Sequence, residues 1–230
     1  MKIIWLGHSS FRFEIGDQVL LVDPWFTGNP MFPADKHAEA IADTTAIFLT
    51  HGHGDHAANA VGIAKELGVT VYCIHELSKW VGNEGAEVVG FGKGGTVTLG
   101  DVRVTMVNAV HSSSIDFGDG LPTYAGGEAG FVIRGEGHSI YFSGDTDVMA
   151  DMGVIADRYA PDIGILCAGG HFTMDMEGAA YTAKKFFDFT TVIPCHYRTF
   201  PLLEQSAEEL IKALSGVHVI EPEVMEPITI

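Results

Sequence analysis

Four metal-binding side chains lie within six positions of this sequence. They are His51, His53, Asp55 and His56, and the apolar run at residues 46–49 comes directly before them. Imidazole and carboxylate groups are ligands for zinc and its first-row neighbours. A chain that places so many such groups beside a buried strand has to neutralise them, and a bound metal does so. The cluster therefore constrains the chain to a fold in which a buried strand ends at a metal site.

Other apolar runs of the sequence also end on a side chain of this chemical kind. His111, Asp145 and His196 each follow such a run, and so do Asp23 and His171. A single polar residue after a strand is usually an ordinary turn residue. Ligand sites of sheet-based folds, however, lie where strand ends and their following loops converge. We therefore expect these residues to meet the histidine cluster at one edge of the sheets.

The residues predicted to bind metal are His51, His53, Asp55, His56, His111, Asp145 and His196. They exceed the ligands of one tetrahedral ion and suit two divalent ions that share a carboxylate. Mixed nitrogen and oxygen ligation favours Zn²⁺, and it leaves Mn²⁺, Ni²⁺ and Fe²⁺ open. Asp23 is a candidate for orienting a ligand histidine. His8 is either a turn residue or part of the site.

The charge balance of the chain limits its partners. With 13 Lys and Arg against 30 Asp and Glu, the formal net charge is −17. Such a surface repels nucleic acid and anionic membranes, so we expect a small-molecule substrate and no nucleic-acid partner. No apolar run reaches the roughly 18 residues of a membrane span. The cysteines lie far apart in apolar runs, which is typical of reduced thiols in a cytoplasmic protein. The sequence leaves a homo-oligomer possible.

Hydrophobic periodicity divides the chain into a strand-rich first half and a second half of alternating strands and helices. It predicts one domain over residues 1–230, with sheets between helical layers. Residues 55–67 have the pattern of one helix, which Gly68 ends. Residues 24–37 and 112–128 read as long loops, and loops of that length are often functional.

The run His51-x-His53-x-Asp55-His56, with His111, Asp145 and His196 after it, resembles the metallo-β-lactamase superfamily. Residues 5–11 and 194–196 are similar to a group of predicted metal-dependent hydrolases. That group is related to ascorbate-6-phosphate lactonase and to N-acylphosphatidylethanolamine phospholipase D. The resemblance implies an α/β (α+β) fold, a four-layer αβ/βα sandwich of two mixed β-sheets flanked by helices.

The resemblance also implies three ligands for each ion and one bridging carboxylate. The first ion would take His51, His53 and His111, the second would take Asp55, His56 and His196, and Asp145 would bridge them. A metal-bridging hydroxide would then attack a small ester, lactone, amide or phosphoester. Asp55 is expected to orient the attacking water. His171 would stabilise the oxyanion or protonate the leaving group.

Two other functions stay open on the sequence alone. One is a phosphodiesterase or phospholipase-D-like enzyme on the same fold, and the other is a metal-bound interaction protein without turnover. Tyr124, Arg198 and Phe200 are weaker candidates for substrate contacts. Residues 91–95 are glycine-rich, but they lack the spacing of a nucleotide-binding loop, and no helix pattern follows them.

Overall fold

Two mixed β-sheets form the middle of the protein in the computed structural model, which describes residues 1–116 and 120–230. The first sheet contains β1 (Lys2–Trp5), β2 (Phe11–Ile15), β3 (Gln18–Val22), β4 (Ala46–Phe48), β5 (Thr70–Ile74), β6 (Val88–Phe91) and the C-terminal β16 (Pro227–Thr229). The second contains β7 (Thr96–Leu99), β8 (Val102–Asn108), β11 (Ala129–Gly135), β12 (His138–Phe142), β13 (Ile163–Cys167), β14 (Thr191–Cys195) and β15 (His218–Val219). A small separate sheet pairs β9 (Ser114–Asp116) with β10 (Pro122–Tyr124).

The helices lie along the chain between these strands. They are α1 (His37–Ile41), α2 (Gly54–Ala57), α3 (Ala60–Leu67), α4 (His75–Asn83), α5 (Asp151–Tyr159), α6 (Met176–Phe186) and α7 (Glu208–Ala213). A 3₁₀ turn at Ala34–Lys36 precedes α1. No helix among the described residues is long and apolar enough to cross a lipid bilayer.

The two large sheets have related topologies. In the first sheet, β1, β2 and β3 pair antiparallel, and β3 to β6 continue as parallel neighbours. In the second sheet, β7, β8, β11 and β12 pair antiparallel, and β12 to β15 continue in parallel. Parallel strands need crossover connections, which usually contain helices that cover the sheet face.

Side chains alternate between two apolar clusters, because successive residues of a strand point to opposite faces. Phe48 of β4 belongs to the cluster between the sheets, where its ring lies 5.6 Å from that of Phe131. Ile47 beside it belongs to the second cluster, which includes Ile63 of α3 and Leu77 of α4. The second sheet also packs against α5 and α6. The predicted four-layer αβ/βα sandwich is therefore confirmed.

The structure corrects the predicted helix at residues 55–67, which forms the separate helices α2 and α3. The break falls next to Asn59, whose side-chain oxygen accepts hydrogen bonds from the backbone N–H of Phe26 at 2.7 Å and of Thr27 at 3.0 Å. Asn59 thus holds the start of the predicted loop at residues 24–37 through these two hydrogen bonds. The last residues of that loop form the 3₁₀ turn and the start of α1. The predicted loop at residues 112–128 contains the antiparallel strands β9 and β10, and its residues 117–119 lie outside the described residues.

Candidate metal centre

The predicted site residues lie at one common edge of the two sheets. Asp23 directly follows β3 and His196 directly follows β14, while His51, His111 and Asp145 lie just beyond the ends of β4, β8 and β12. Since β8 and β12 both pair antiparallel with β11, they run in the same direction and end at the same edge. The structure therefore brings Asp23, His111, Asp145 and His196 to the histidine cluster, while no contact joins His171 to it among the described residues.

Asp145 lies at the centre of this group. Its Oδ2 atom is 3.0 Å from His196 Nε2, 3.3 Å from His56 Nε2 and 3.7 Å from His111 Nε2. Although burial opposes ionisation, the His196 and His56 rings hold the pKa of Asp145 well below its ordinary value. One ionised carboxylate oxygen thus faces imidazole nitrogens from separate segments of the chain.

A second group of ligand atoms comes from His51, His53 and His111, which lie within 4.8 Å of one another. His51 Nε2 and His53 Nδ1 are only 3.0 Å apart. Burial lowers the pKa of all three rings, that of His51 most clearly. Neutral imidazole is the form that binds a metal ion, so this group is in the right protonation state for ligation.

Asp23 orients the rings of His56 and His51, the first directly and the second through Thr50. Its Oδ2 accepts a hydrogen bond from His56 Nδ1 at 2.8 Å and one from the Thr50 hydroxyl at 2.6 Å. The hydroxyl oxygen of Thr50 in turn lies 2.9 Å from His51 Nδ1 and accepts its proton. Both rings therefore turn Nε2 toward the cluster, which is how outer carboxylates orient histidine ligands.

The Asp23–His56 pair is fully buried and electrostatically coupled to Asp145. Burial raises the pKa of Asp23. Burial opposes protonation of His56, but Asp145 and Asp23 raise the pKa of its ring well above the ordinary value. Buried carboxylates on both sides of His56 favour positive charge at this position, as they would favour a bound cation.

His8 joins the cluster on its Asp55 side. Its Nε2 atom lies 3.2 Å from Asp55 Oδ2, and the two residues form one ligand-capable group with His56 and His196. Burial, followed by the nearby His196, lowers the pKa of His8 to about 4. Burial opposes ionisation of Asp55, but His56 and His8 hold its pKa far below the ordinary value.

The backbone at this edge adopts conformations that non-glycine residues rarely take. His8, Asp23 and His196 have φ angles of 55°, 49° and 58° in the left-handed region. Each costs free energy and persists where the surrounding structure determines it, which is most often at a functional site. Here each such residue turns its side chain into the cluster.

The donor set has the chemistry that first-row divalent cations prefer. His56 Nε2 and Asp145 Oδ1 are buried and make no hydrogen bond to any part of the chain that the structure describes. Buried polar atoms are nearly always partnered, so these two call for a ligand. The imidazoles of His51, His53 and His111 form one group of ligand atoms, and Asp55 with the imidazoles of His8, His56 and His196 forms another. Both groups match the ligands that zinc and its neighbours prefer.

Comparison with known proteins gives the family. The profile of the Beta-lactamase superfamily domain matches residues 18–197. The UPF0173 metal-dependent hydrolase of Dinoroseobacter shibae is 65% identical over 229 residues, which are 99% of each chain. The chain belongs to the metallo-β-lactamase superfamily. The UPF0173 metal-dependent hydrolase of Paracoccus denitrificans is likewise 61% identical over 229 residues and 99% of each chain.

Solved structures share this metallo-β-lactamase fold. The metallo hydrolase Igni18 from Ignicoccus hospitalis superposes with a TM-score of 0.85 at 29% identity, over 99% of this chain and 97% of that one. The isothiocyanate hydrolase from Delia radicum gut bacteria superposes with a TM-score of 0.77 over 100% and 99% of the two chains. At 19% identity, that second likeness is one of fold alone.

The remaining candidates, His171, Tyr124 and Arg198, have different settings. His171 is exposed, and its ring packs edge-on against Phe172 at 4.6 Å, so its catalytic role stays a prediction. Tyr124 is 74% exposed at the end of β10. Arg198 stacks on Trp5 at 5.2 Å and donates to the Pro222 carbonyl at 3.1 Å, which makes it a packing residue.

Phe200 packs on the His8 side of the site, and the sequence did not predict two further site residues, Thr50 and Thr199. The Phe200 ring lies 5.6 Å from that of His8 and 5.9 Å from that of Trp25. Thr50 and Thr199 both contact imidazole nitrogens of the cluster. The adjacency of Thr50 to His51 was a usable signal, whereas nothing in the local sequence marks Thr199.

Proposed function

We propose that this metallo-β-lactamase superfamily member is a dinuclear metal-dependent hydrolase of a small ester, lactone, amide or phosphoester. Zn²⁺ is the metal that its nitrogen and oxygen donors favour. The first ion would take His51, His53 and His111, the second would take Asp55, His56 and His196, and Asp145 would bridge them. The relatives that share nearly the whole chain carry the name metal-dependent hydrolase, which supports the reaction class.

The observation that carries the proposal is the setting of Asp145. Its Oδ2 atom faces imidazole nitrogens at 3.0, 3.3 and 3.7 Å, and its Oδ1 atom is buried without a hydrogen bond from the described residues. A carboxylate that served only to pair with one histidine would not need two further imidazoles around it. A carboxylate that bridges two cations would have the imidazole ligands of both cations around it.

The residues divide the work of hydrolysis. Bound cations would supply Lewis acidity to the substrate oxygen and lower the pKa of a water enough for it to attack as hydroxide near neutral pH. Asp55 keeps 30% of its side chain exposed and stays ionised, so it can accept a hydrogen bond from the attacking water and orient it. His171, exposed in the loop after β13, would protonate the leaving group or stabilise the oxyanion.

We also propose that the protein works in the cytoplasm on a small-molecule substrate. Cys73, Cys167 and Cys195 are all buried as free thiols. Reduced thiols persist in cytoplasmic proteins, where glutathione and thioredoxin keep them so. The net charge of −17 opposes binding to nucleic acid.

The test combines metal analysis with a substrate panel. Chelator-stripped protein is reloaded with zinc or manganese, its bound metal is measured by elemental analysis, and lactone, ester, amide and phosphodiester substrates are offered in turn. We expect two ions per chain and turnover of one class. In His53→Ala we expect less bound metal and no turnover. His218→Ala, which removes an exposed imidazole on β15, should match the unmodified protein.

The outcomes separate the candidate functions. Turnover of phosphodiesters alone would assign a phosphodiesterase. Two bound ions without turnover of any class would contradict the enzyme and leave a metal-bound interaction protein. Turnover that survives both chelation and His53→Ala would refute the metal mechanism.

A further inference from the structure

His8 lies directly behind Asp55, and both nitrogens of its ring are occupied. Its Nε2 atom is 3.2 Å from Asp55 Oδ2, and its Nδ1 atom is 2.8 Å from the hydroxyl oxygen of Thr199. The His8 side chain is fully buried, and Thr199 is 7% exposed. A buried ring with two defined partners has one orientation and a defined proton position.

The partners determine the direction of both hydrogen bonds. An ionised carboxylate only accepts, so His8 Nε2 carries the proton that it donates to Asp55. The Nδ1 atom of the same neutral ring then only accepts, and the Thr199 hydroxyl donates to it. The other acceptors near that hydroxyl, the Tyr197 carbonyl at 3.2 Å and Met31 Sδ at 3.4 Å, are farther away.

The surroundings hold the ring in this place. The His8 ring lies 3.9 Å from that of His196 between centroids, tilted by 44°, and meets Trp25 edge-on at 5.2 Å. The His8 carbonyl accepts hydrogen bonds from the Trp5 indole at 2.7 Å and from the His196 backbone N–H at 3.0 Å. Neither the ring nor its backbone can move without disturbing this packing.

We infer that His8 is a positioning residue for Asp55, fixing one carboxylate oxygen through its Nε2 proton so that the other oxygen is presented to the second metal ion. The inference rests on the proposed dinuclear function. The ring contacts of His8 run to His56 and His196, which belong to the same predicted ligand set as Asp55. Among the described residues, His8 makes no hydrogen bond or ring contact with His51, His53 or His111, so its effect is confined to the second ion.

The first test measures the two ions separately. Cobalt is titrated into stripped protein while its visible absorption is recorded, and zinc affinities are measured against a competing chelator. In His8→Ala we expect the second ion to bind about 10–100-fold more weakly and the first to bind unchanged, since outer groups typically change metal affinity by this factor. His8→Gln, whose amide can donate to Asp55, should recover most of the loss.

Proton position gives a second readout that needs no variant. A long-range ¹H–¹⁵N correlation spectrum of the zinc-loaded protein should show His8 as the neutral tautomer protonated at Nε2. Protonation at Nδ1 would overturn the inference, because Nε2 could then not donate to Asp55. This measurement stands even if His8→Ala fails to fold.

Failure of the inference differs from failure of the proposed function. An unmodified protein that binds no metal under any loading condition refutes the function itself. An unmodified protein that binds two ions, with both affinities unchanged in His8→Ala or with His8→Gln as weak as His8→Ala, refutes only the positioning role. His218→Ala serves as the control for loss of an imidazole elsewhere on the surface.

Discussion

At the scale of single residues, the charge of Asp145 decides what the site can bind. Asp145→Asn keeps the shape of the side chain but removes the charge that faces His56, His111 and His196. We expect the variant to lose bound metal and at least about 100-fold in turnover, since a bridging carboxylate serves both ions. Elemental analysis and the substrate panel check this.

Asp157→Asn is the matched control, because it removes a negative charge from the exposed surface of α5. It should retain metal and turnover. Full metal content in Asp145→Asn would contradict the bridging role, whatever happened to its activity.

The residues of the predicted ligand set could be named from the sequence, because their chemistry lies in short motifs that follow buried strands. The role of His8, by contrast, could not be predicted from the sequence. Its partner Thr199 is 191 positions away, and the segment after β14 brings the two together through contacts with the start of the chain, such as the hydrogen bond from His196 N–H to the His8 carbonyl. Long-range contacts of this kind leave no local signal.

At the scale of elements, the loop after β13 sets the position of His196. A Cβ atom at Gly169 would lie 2.0 Å from the His196 carbonyl oxygen and 2.9 Å from His196 Nδ1. Gly169→Ala must therefore displace the end of β14. We expect it to lower the free energy of unfolding by about 1–3 kcal/mol, as overpacking does, and to weaken metal binding.

The same substitution at Gly62, Gly62→Ala, should raise the free energy of unfolding instead of lowering it. Gly62 lies inside α3, and nothing lies within 4 Å of a Cβ atom there. Alanine should stabilise this helix by about 0.5–1 kcal/mol and leave metal binding unchanged. Urea unfolding of both variants, with metal content beside it, checks the pair. Equal metal affinity in the two would mean that the loop after β13 does not position His196.

The buried thiol of Cys73, on β5, should make the free energy of unfolding depend on pH in the alkaline range. Burial raises the pKa of Cys73 from 9.0 to about 12. The folded protein keeps the Cys73 thiol neutral up to a higher pH than the unfolded chain does. The free energy of unfolding is therefore unaffected by this thiol below pH 9, and it falls as the pH rises from 9 toward 12. The fall at pH 10 amounts to about 1 kcal/mol.

Cys73→Ala should remove that part of the pH dependence. The free energy of urea unfolding, measured at pH 7.5 and pH 10 in the presence of a chelator, should fall less in the variant than in the unmodified protein, by about 1 kcal/mol. An identical fall in both proteins would show that the Cys73 thiol does not contribute.

The elements themselves were only partly predictable, for physical reasons that differ from case to case. The strands of the sheets carry strong apolar patterns, and most were predicted. The apolar pattern of residues 55–67 fits one helix, but the break at Asn59 depends on contacts with Phe26 and Thr27. Strand β16 was missed, because Pro227 begins it and its partner strand β1 lies at the other end of the chain.

At the scale of the whole molecule, the predicted ligands come from both sheets. The segment that contains His51 and His56 follows β4 of the first sheet, whereas His111, Asp145 and His196 follow strands of the second. Ions bound at this edge would tie the two halves of the sandwich together. Because the full ligand set exists only when both sheets are in place, binding should stabilise the folded state and not the unfolded chain.

The thermal transition should therefore depend on metal. At a free zinc concentration of about 100 times Kd, binding adds about 2.7 kcal/mol, which for a chain of this length raises Tm by roughly 5–10 °C. Differential scanning calorimetry of stripped and zinc-loaded protein measures this rise, and stripping the loaded protein with a chelator should reverse it. Asp145→Asn should show little of the rise, because it lacks the charge that would bridge the proposed ions. An equal rise in Asp145→Asn would mean that zinc stabilises the protein from somewhere other than the edge where the two sheets meet.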